Sequence, residues 1–159
     1  MLTSIKRLVG MPVVCQDRRL GYVEQAIPKE DARRLDGVII RRGIGSARWC
    51  AAEDILSAGP ECVVIANRPS TSAHPCIRSP ERAYLTNGQC VGEVTDWIFA
   101  PGGFAFAALE VSPGPIYRLM GQCAYACEFR ADPQSGGVIV PQLLSWTQLK
   151  RQLGEEDDG

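Results

Sequence analysis

The sequence has one histidine in 159 residues, and this scarcity limits the catalytic chemistry that it can support. Catalysis by a Ser/His/Asp or Cys/His set needs a base beside the nucleophile. The single histidine, His74, lies in a proline-rich segment, where we interpret it as an exposed linker residue. Glu53 and Asp54 are adjacent on a predicted turn and are more typical of a surface pair than of an acid and base couple. We therefore expect a protein that is not an enzyme, with no catalytic residue, no cofactor and no small-molecule substrate.

Long apolar segments and phosphate-binding glycine loops are also missing. No apolar run approaches the roughly 18 to 20 residues that a membrane helix needs. The glycines at 43–45 and 102–103 do not join a strand to a helix, as a phosphate-binding loop would require. The N-terminus shows no apolar core followed by a small-residue cleavage site. We expect a cytoplasmic protein that does not contact the membrane.

The seven cysteines do not suggest a disulfide framework. An odd number cannot pair completely, and disulfides are uncommon in a reducing cytosol. Cys123 and Cys127 are only four positions apart in the sequence and could supply two thiolate ligands, but tetrahedral zinc needs four ligands. On one strand the two residues would lie about 13 Å apart, too far to share a metal. We expect no metal site and keep a zinc- or redox-responsive module through Cys123 and Cys127 as an alternative.

What the sequence does contain is an internal repeat. Residues 20–27, Leu-Gly-Tyr-Val-Glu-Gln-Ala-Ile, return in similar form as residues 91–98, Val-Gly-Glu-Val-Thr-Asp-Trp-Ile. Five pairs of glycine or apolar residues keep a constant offset of 71 positions: Gly21/Gly92, Val23/Val94, Ile27/Ile98, Ile40/Val111 and Gly43/Gly114. This period is too long for a solenoid unit and fits two small tandem domains.

Short β-branched runs joined by closely spaced turns predict an all-β chain. Asn87-Gly88, between two apolar runs, predicts a hairpin with a type I′ turn. Aligning Ala52 with Pro141 changes the offset from 71 to 89, which predicts an eighteen-residue insert in the second unit. Apolar residues at helical spacing predict a C-terminal amphipathic helix over 142–153. The predicted segments are a first domain at 1–68, a linker at 69–82, a second domain at 83–153 with a hairpin insert at 115–137, and an acidic tail at 154–159.

Both copies resemble the PRC-barrel family. Each shows a strand, a polar turn, then Leu20-Gly21-Tyr22-Val23 or Val91-Gly92-Glu93-Val94, followed by a hydrophobic strand that ends at Ile40 or Val111. The family is a small all-β barrel, found in the cytoplasmic part of the photosynthetic reaction-centre H subunit, in a ribosome-maturation factor and in short bacterial proteins of unknown role. The resemblance implies two tandem small PRC-barrel-like β-barrels with a short C-terminal helix, in a bacterial protein. It brings no catalytic residue with it, and a shared fold does not transfer a specific role.

Charge is distributed unevenly between the two copies. Residues 1–69 contain eleven Lys/Arg and eight Asp/Glu, whereas residues 70–159 contain six and ten. Arginines in the turns of the first unit could cluster at one end of a small barrel and meet phosphate. The pI of 5.9 and the interspersed acids instead favour ordinary solvated turns. The arginines concerned are Arg18, Arg19, Arg33, Arg34, Arg41, Arg42 and Arg48.

Aromatic residues in the predicted insert suggest a second kind of partner. Tyr117, Tyr125 and Phe129 could form a contact surface for another protein, or could cover the core of their own unit. We expect a non-catalytic binding or scaffold protein with an unknown protein partner. The alternative is an RNA- or ribosome-associated factor that binds through Arg41 and Arg42.

Overall fold

The structure is a computed structural model that describes residues 3–71, 80–114, 116 and 119–155. His74, Cys76 and Tyr117 lie outside the described residues. Strands hold 47% of the chain and helices 11%, which confirms the prediction of a mostly β protein. The strands of the first half are β1 (Pro12–Cys15), β2 (Arg18–Pro28), β3 (Leu35–Arg41), β4 (Arg48–Ala51), β5 (Ile55–Ala58) and β6 (Val63–Ile65). Those of the second half are β7 (Arg82–Leu85), β8 (Cys90–Phe99), β9 (Phe106–Ser112), β10 (Ala124–Ala126), β11 (Arg130–Ala131) and β12 (Val138–Val140).

The two halves form two six-stranded sheets with the same topology. Their strand orders are β4-β3-β2-β1-β6-β5 and β10-β9-β8-β7-β12-β11. Within each sheet one pair of neighbouring strands is parallel, β1 with β6 in the first sheet and β7 with β12 in the second. All other neighbouring strands are antiparallel. The repeat in the sequence is therefore a repeat of the whole sheet, and residues of the two units can be compared position by position.

Gly21 and Gly92 are equivalent in conformation as well as in sequence. Their φ angles are +144° and +145°, in a region that side chains disfavour. A Cβ atom on Gly21 would lie 2.3 Å from the carbonyl oxygen of Arg41, and one on Gly92 would lie 2.3 Å from that of Ser112. Each glycine lies beside a β-bulge in the pairing with the preceding strand. In the first unit Gly21 pairs with Val13, and the register shifts between Val13 and Val14. The repeated glycine is therefore needed because two strands approach each other closely.

The first turns of the two units differ by one residue. Gln16 and Asp17, between β1 and β2, have φ angles of 49° and 64°, so both have the positive φ that a type I′ turn requires. In the corresponding turn of the second unit, residues 86–89, only Gly88 has positive φ, at 88°, and its N–H donates to the Leu85 carbonyl at 2.9 Å. The predicted type I′ turn at Asn87-Gly88 is therefore wrong. The longer loop places a glycine in the left-handed position that follows a type I turn.

The predicted eighteen-residue insert rests on an incorrect alignment. Cys50 pairs with Val38, and Ala126 pairs with Leu109, so β10 is the counterpart of β4 at an offset of 76. Val63 and Val138 face equivalent positions of β1 and β7, at an offset of 75. The second unit therefore gains only five residues, between β9 and β10. The range 115–137 contains β10 and β11, which belong to the sheet, and Pro141 is not the counterpart of Ala52.

The two sheets meet along a contact that has local two-fold symmetry. Arg34 forms an antiparallel bridge with Ala105, which is its own counterpart at the offset of 71. The Leu35 N–H donates to the Phe104 carbonyl, and the Phe106 N–H donates to the Arg33 carbonyl, both at 2.9 Å. Exchanging the units converts one bond into the other. We call residues 33–35 and 104–106 the seam, and it joins the units as an isologous interface joins a dimer.

A continuous core crosses the seam. One cluster of buried apolar side chains includes Leu35 from the first sheet and Trp97, Phe99 and Phe106 from the second. The Phe106 ring lies 4.7 Å from that of Trp97 and 5.4 Å from that of Phe99, measured between centroids. Since each unit alone is near the lower size limit for a stable domain, sharing this core adds stability to both.

Short helices flank the sheets: α1 (Ile5–Leu8), a single 3-10 turn (Ala52–Asp54) and α2 (Trp146–Gln152). The last confirms the predicted C-terminal helix but begins later than residue 142. Ser145 caps it, because its hydroxyl accepts from the Gln148 N–H while the Gln148 side chain accepts from the Ser145 N–H. Leu149 packs on Ile98 and holds the helix against the second sheet.

Candidate nucleic-acid interface

A cavity of about 980 Å³ at the end of the first sheet is lined by several positively charged side chains. It opens between the β1–β2 turn, the connection from β3 to β4 and the segment that follows β6. We call it the arginine groove, after the five exposed arginines that line it: Arg18, Arg19, Arg42, Arg48 and Arg68.

Strand direction explains why arginines that are distant in sequence meet here. Strand β3 runs antiparallel to both β2 and β4, so its C-terminal end lies beside the start of each. Arg18 begins β2, Arg48 begins β4, and Arg42 directly follows β3. The pairing of Ile40 with Arg48 fixes this register. Three arginines are thereby brought to one edge by the topology of the sheet.

The electrostatics of the groove favour an anion. Within the described part of the chain, no acidic side chain lines the groove, and none of its five arginines forms an ion pair. Guanidinium groups present several donors in a planar fork that matches phosphate oxygens. Cationic side chains gathered in a concave site raise the local concentration of anions. A ligand that carries several negative charges would relieve the mutual repulsion of these arginines.

The floor of the groove is apolar and firmly anchored. Leu20, Ile40 and Cys15 contribute to its lining, and Ile40 and Cys15 belong to the buried core. The Cys15 thiol also lies 3.9 Å from the Ala66 carbonyl oxygen. The packed sheet therefore fixes the backbone positions from which the arginines project.

The predicted contact residues Arg41 and Arg42 have different roles. Arg42 lines the groove. The Arg41 guanidinium instead donates from Nε to Glu24 at 2.8 Å and from Nη1 to the Gly45 carbonyl at 3.0 Å. The hydrogen bond and charge of Glu24 raise the pKa of Arg41. Arg41 therefore braces the connection that carries Arg42.

The other arginines considered from the sequence divide into two groups. Arg33 and Arg34 lie at the seam, at the opposite end of β3 from the groove, and Arg34 faces Glu53 at 4.0 Å. Arg68 belongs to the groove but was not predicted, because it follows the last strand in a segment with linker composition. Only its position a few residues after the parallel strand β6 could have indicated its place.

The second unit builds the same sheet without these charges. The counterparts of Arg18, Arg19 and Arg42 at the offset of 71 are uncharged, as is the residue that occupies the place of Arg48 in β10. These four residues are Gln89, Cys90, Pro113 and Ala124. The second sheet therefore forms without arginines at these positions.

The aromatic residues expected at a protein contact occupy packing positions. The half-buried Tyr125 lies 5.1 Å from Trp146 between ring centroids and donates from its hydroxyl to Glu110 at 3.4 Å. Phe129 packs on the core edge-on to Trp97, at 6.2 Å. These two side chains serve the second unit's own structure, which was the other use that the sequence allowed. Tyr117 lies outside the described residues.

The positions of the cysteines and carboxylates bear on the zinc alternative. No three His, Cys, Asp or Glu side chains of those ranges come close enough to hold a metal ion. The Cys127 thiol donates to the Gln152 side chain at 2.9 Å, and burial raises its pKa, which disfavours the thiolate that zinc binds. The geometry of the described residues therefore does not support the zinc alternative.

A buried polar cluster fastens the N-terminal segment to the second sheet. Burial raises the pKa of Asp96, although its carboxylate accepts from the Lys6 and Trp97 N–H groups. Burial also opposes ionisation of Glu110, but hydrogen bonds from Lys6 and Thr95 outweigh it and lower the Glu110 pKa. These groups do not line the arginine groove. Asp96 and Glu110 form hydrogen bonds with Lys6, Thr95 and Trp97 inside the fold, so we assign the two carboxylates a structural role.

Comparison with known proteins adds no relative: no family model and no curated protein matches the chain. Within the described ranges, every helix is too short or too polar to cross a bilayer.

Proposed function

We propose that this protein is a non-catalytic binding protein that holds RNA by its phosphates in the arginine groove. The observation that carries the proposal is the set of five exposed arginines around one cavity, in whose lining the described part of the chain places no acidic side chain. The uncharged counterparts in the second unit support it, because they show that the charges are not needed for folding.

A phosphate polymer fits the groove better than a small anion does. Five positive charges exceed what one phosphate can neutralise, whereas a strand brings one negative charge with every nucleotide. Among the described residues no aromatic ring lines the groove, so we expect the phosphates rather than stacked bases to supply most of the affinity. Binding should therefore depend strongly on salt and only weakly on base sequence.

The resemblance to PRC-barrels leads to a finer proposal about the fold. The edge strands β4 and β5 are consecutive and separated only by the 3-10 turn, so the two edges of the first sheet meet at that point. In the second sheet the edge strands β10 and β11 are likewise separated by three residues. We propose that each sheet closes into a small PRC-barrel-like barrel, in a protein of the bacterial cytoplasm, where RNA is available.

Fluorescence anisotropy with a short, labelled, unstructured RNA tests the proposed function. The variant Arg18→Gln/Arg48→Ala introduces the residues of the second unit at two groove positions. We expect affinity to fall about tenfold, since two exposed charge pairs contribute roughly 0.7 kcal/mol each. The control Arg130→Gln/Arg151→Ala removes the same charge from the second unit and should bind like the wild type. Equal losses in both variants would show that only net charge matters, and the groove would not be the site.

A protein partner is the second candidate, and exposed apolar side chains in the connection from β9 to β10 favour it. Ile116, Leu119 and Met120 have exposed fractions of 71%, 89% and 63%. This connection is the counterpart of the one that carries Arg42 in the first unit, so the same end of each sheet presents a different surface. Affinity capture from nuclease-treated extract with wild type and Leu119→Ser/Met120→Ser tests it. A partner retained equally by both proteins would exclude these side chains as its contact.

A further inference from the structure

Ile44 projects from the rim of the arginine groove. It lies between Gly43 and Gly45 in the connection from β3 to β4, and its exposed fraction is 105%, the value of a side chain without neighbours. Arg42 on one side and Gly45 and Ser46 on the other belong to the groove lining. A wholly exposed β-branched apolar residue contributes nothing to the core, and at the rim it is accessible to a ligand that lies in the groove.

The turn that carries Ile44 is held in place from both sides. The Gly45 N–H donates to the Arg42 carbonyl at 3.0 Å, which closes the turn. Arg41 donates to the Gly45 carbonyl at 3.0 Å and is itself anchored by Glu24 at 2.8 Å. The apolar side chain is therefore presented at a set position, not on a free loop. Arg41 and Glu24 act as positioning residues for it.

We propose that Ile44 contacts the face of an unpaired base and makes the groove selective for single-stranded nucleic acid. This inference rests on the proposed function, because the phosphates must first lie along the arginines. In a strand whose phosphates occupy the groove, the bases are the apolar surfaces nearest to its rim. In a duplex those faces are stacked on one another and closed to a side chain at the edge, whereas in a single strand they are open.

The test compares a short unstructured RNA with a duplex of the same length. Wild-type protein should bind the single strand several-fold more tightly. Ile44→Ser should weaken binding of the single strand by up to about fivefold, because an aliphatic contact with a base contributes no more than the low end of the aromatic stacking range, and should leave duplex binding unchanged. Ile44→Trp should bind the single strand at least as tightly as the wild type does. Leu56→Ser, at a side chain that is 67% exposed on β5 and outside the groove, is the matched control and should have no effect.

Other outcomes overturn the inference in separate ways. Equal wild-type affinity for both ligands, or equal losses with Ile44→Ser, would mean that Ile44 does not read unpaired bases. Co-sedimentation with phosphatidylglycerol vesicles that depends on Ile44, without an effect on RNA, would make it a lipid contact. If wild-type protein shows no salt-dependent binding to either nucleic acid, the proposed function itself fails. Ile44→Ser should keep the wild-type thermal midpoint, so misfolding is distinguished from loss of contact.

Discussion

Replacing Gly21 with alanine places a methyl group 2.3 Å from the Arg41 carbonyl oxygen and 2.9 Å from its carbon. Both atoms belong to the backbone of β3, so no side chain can rotate away to make room. The φ angle of +144° is also one that alanine seldom adopts. The substitution therefore forces β2 and β3 apart beside the groove.

The expected cost combines two terms. Residues held in such a backbone region cost about 1 to 3 kcal/mol, and overpacking of this kind costs about 1 to 3 kcal/mol more. We expect a loss of about 3 kcal/mol in the free energy of unfolding. For a chain of this size that corresponds to a fall of about 6 to 12 °C in Tm.

Urea denaturation followed by circular dichroism measures this loss, and two comparisons sharpen it. Gly43→Ala, where nothing lies within 4 Å of the added carbon, should cost only about 1 kcal/mol for its positive φ. Gly92→Ala meets the Ser112 carbonyl at the same 2.3 Å and should cost as much as Gly21→Ala. Because the core is continuous across the seam, both variants should unfold in one transition.

Two results would refute this reasoning. If Gly21→Ala were no worse than Gly43→Ala, the close approach of β2 and β3 would not be a real constraint. If Gly92→Ala unfolded in two separate transitions, the units would be independent and the shared core would not couple them.

Three further predictions concern titratable groups. Asp96→Asn should stabilise the protein at neutral pH, since burial raises the Asp96 pKa and the folded state carries the charge at a cost; denaturation in acid, below the unfolded pKa, should show no gain. Lys6→Met should destabilise by about 1 kcal/mol at neutral pH by removing the 2.8 Å contact of Lys6 with Glu110. Because the Glu110 pKa is lowered, its contribution is lost as pH falls through the folded value, so an undiminished effect in acid would contradict this origin. Burial raises the pKa of Cys50 to about 11, so iodoacetamide should label it far more slowly than the exposed Cys90, as peptide mass spectrometry would show; equal rates would contradict the buried position.

Much of the fold could be predicted because the repeat places the same constraint twice. Gly21 and Gly92 share an offset since both meet a neighbouring backbone, and the β-branched ends of β3 and β9 follow at the same distance. The alignment of Ala52 with Pro141 failed because short apolar segments look alike. The pairing of β10 with β9, and the parallel pairing of β12 with β7 across more than fifty residues, give the correct alignment of the two units.

The site was predictable in part for similar reasons. Arginines in turns at strand ends could be expected to cluster, and Arg18, Arg42 and Arg48 do so. The distinct roles of Arg41 and Arg42 could not be predicted. They depend on the opposite directions in which consecutive side chains point and on the position of Glu24 in the neighbouring strand β2. Arg68 could not be placed, because its position depends on β6 lying beside β1.

The salt dependence of RNA binding is the measurement that tests the central claim most directly. If all five groove arginines meet phosphates of a single strand, log K should fall against log salt with a slope of about −3.5. Arg18→Gln/Arg48→Ala should reduce the magnitude of that slope by about 1.4, and Arg130→Gln/Arg151→Ala should leave it unchanged. A slope near zero for the wild type, or the same slope in the groove variant, would contradict phosphate binding in the arginine groove.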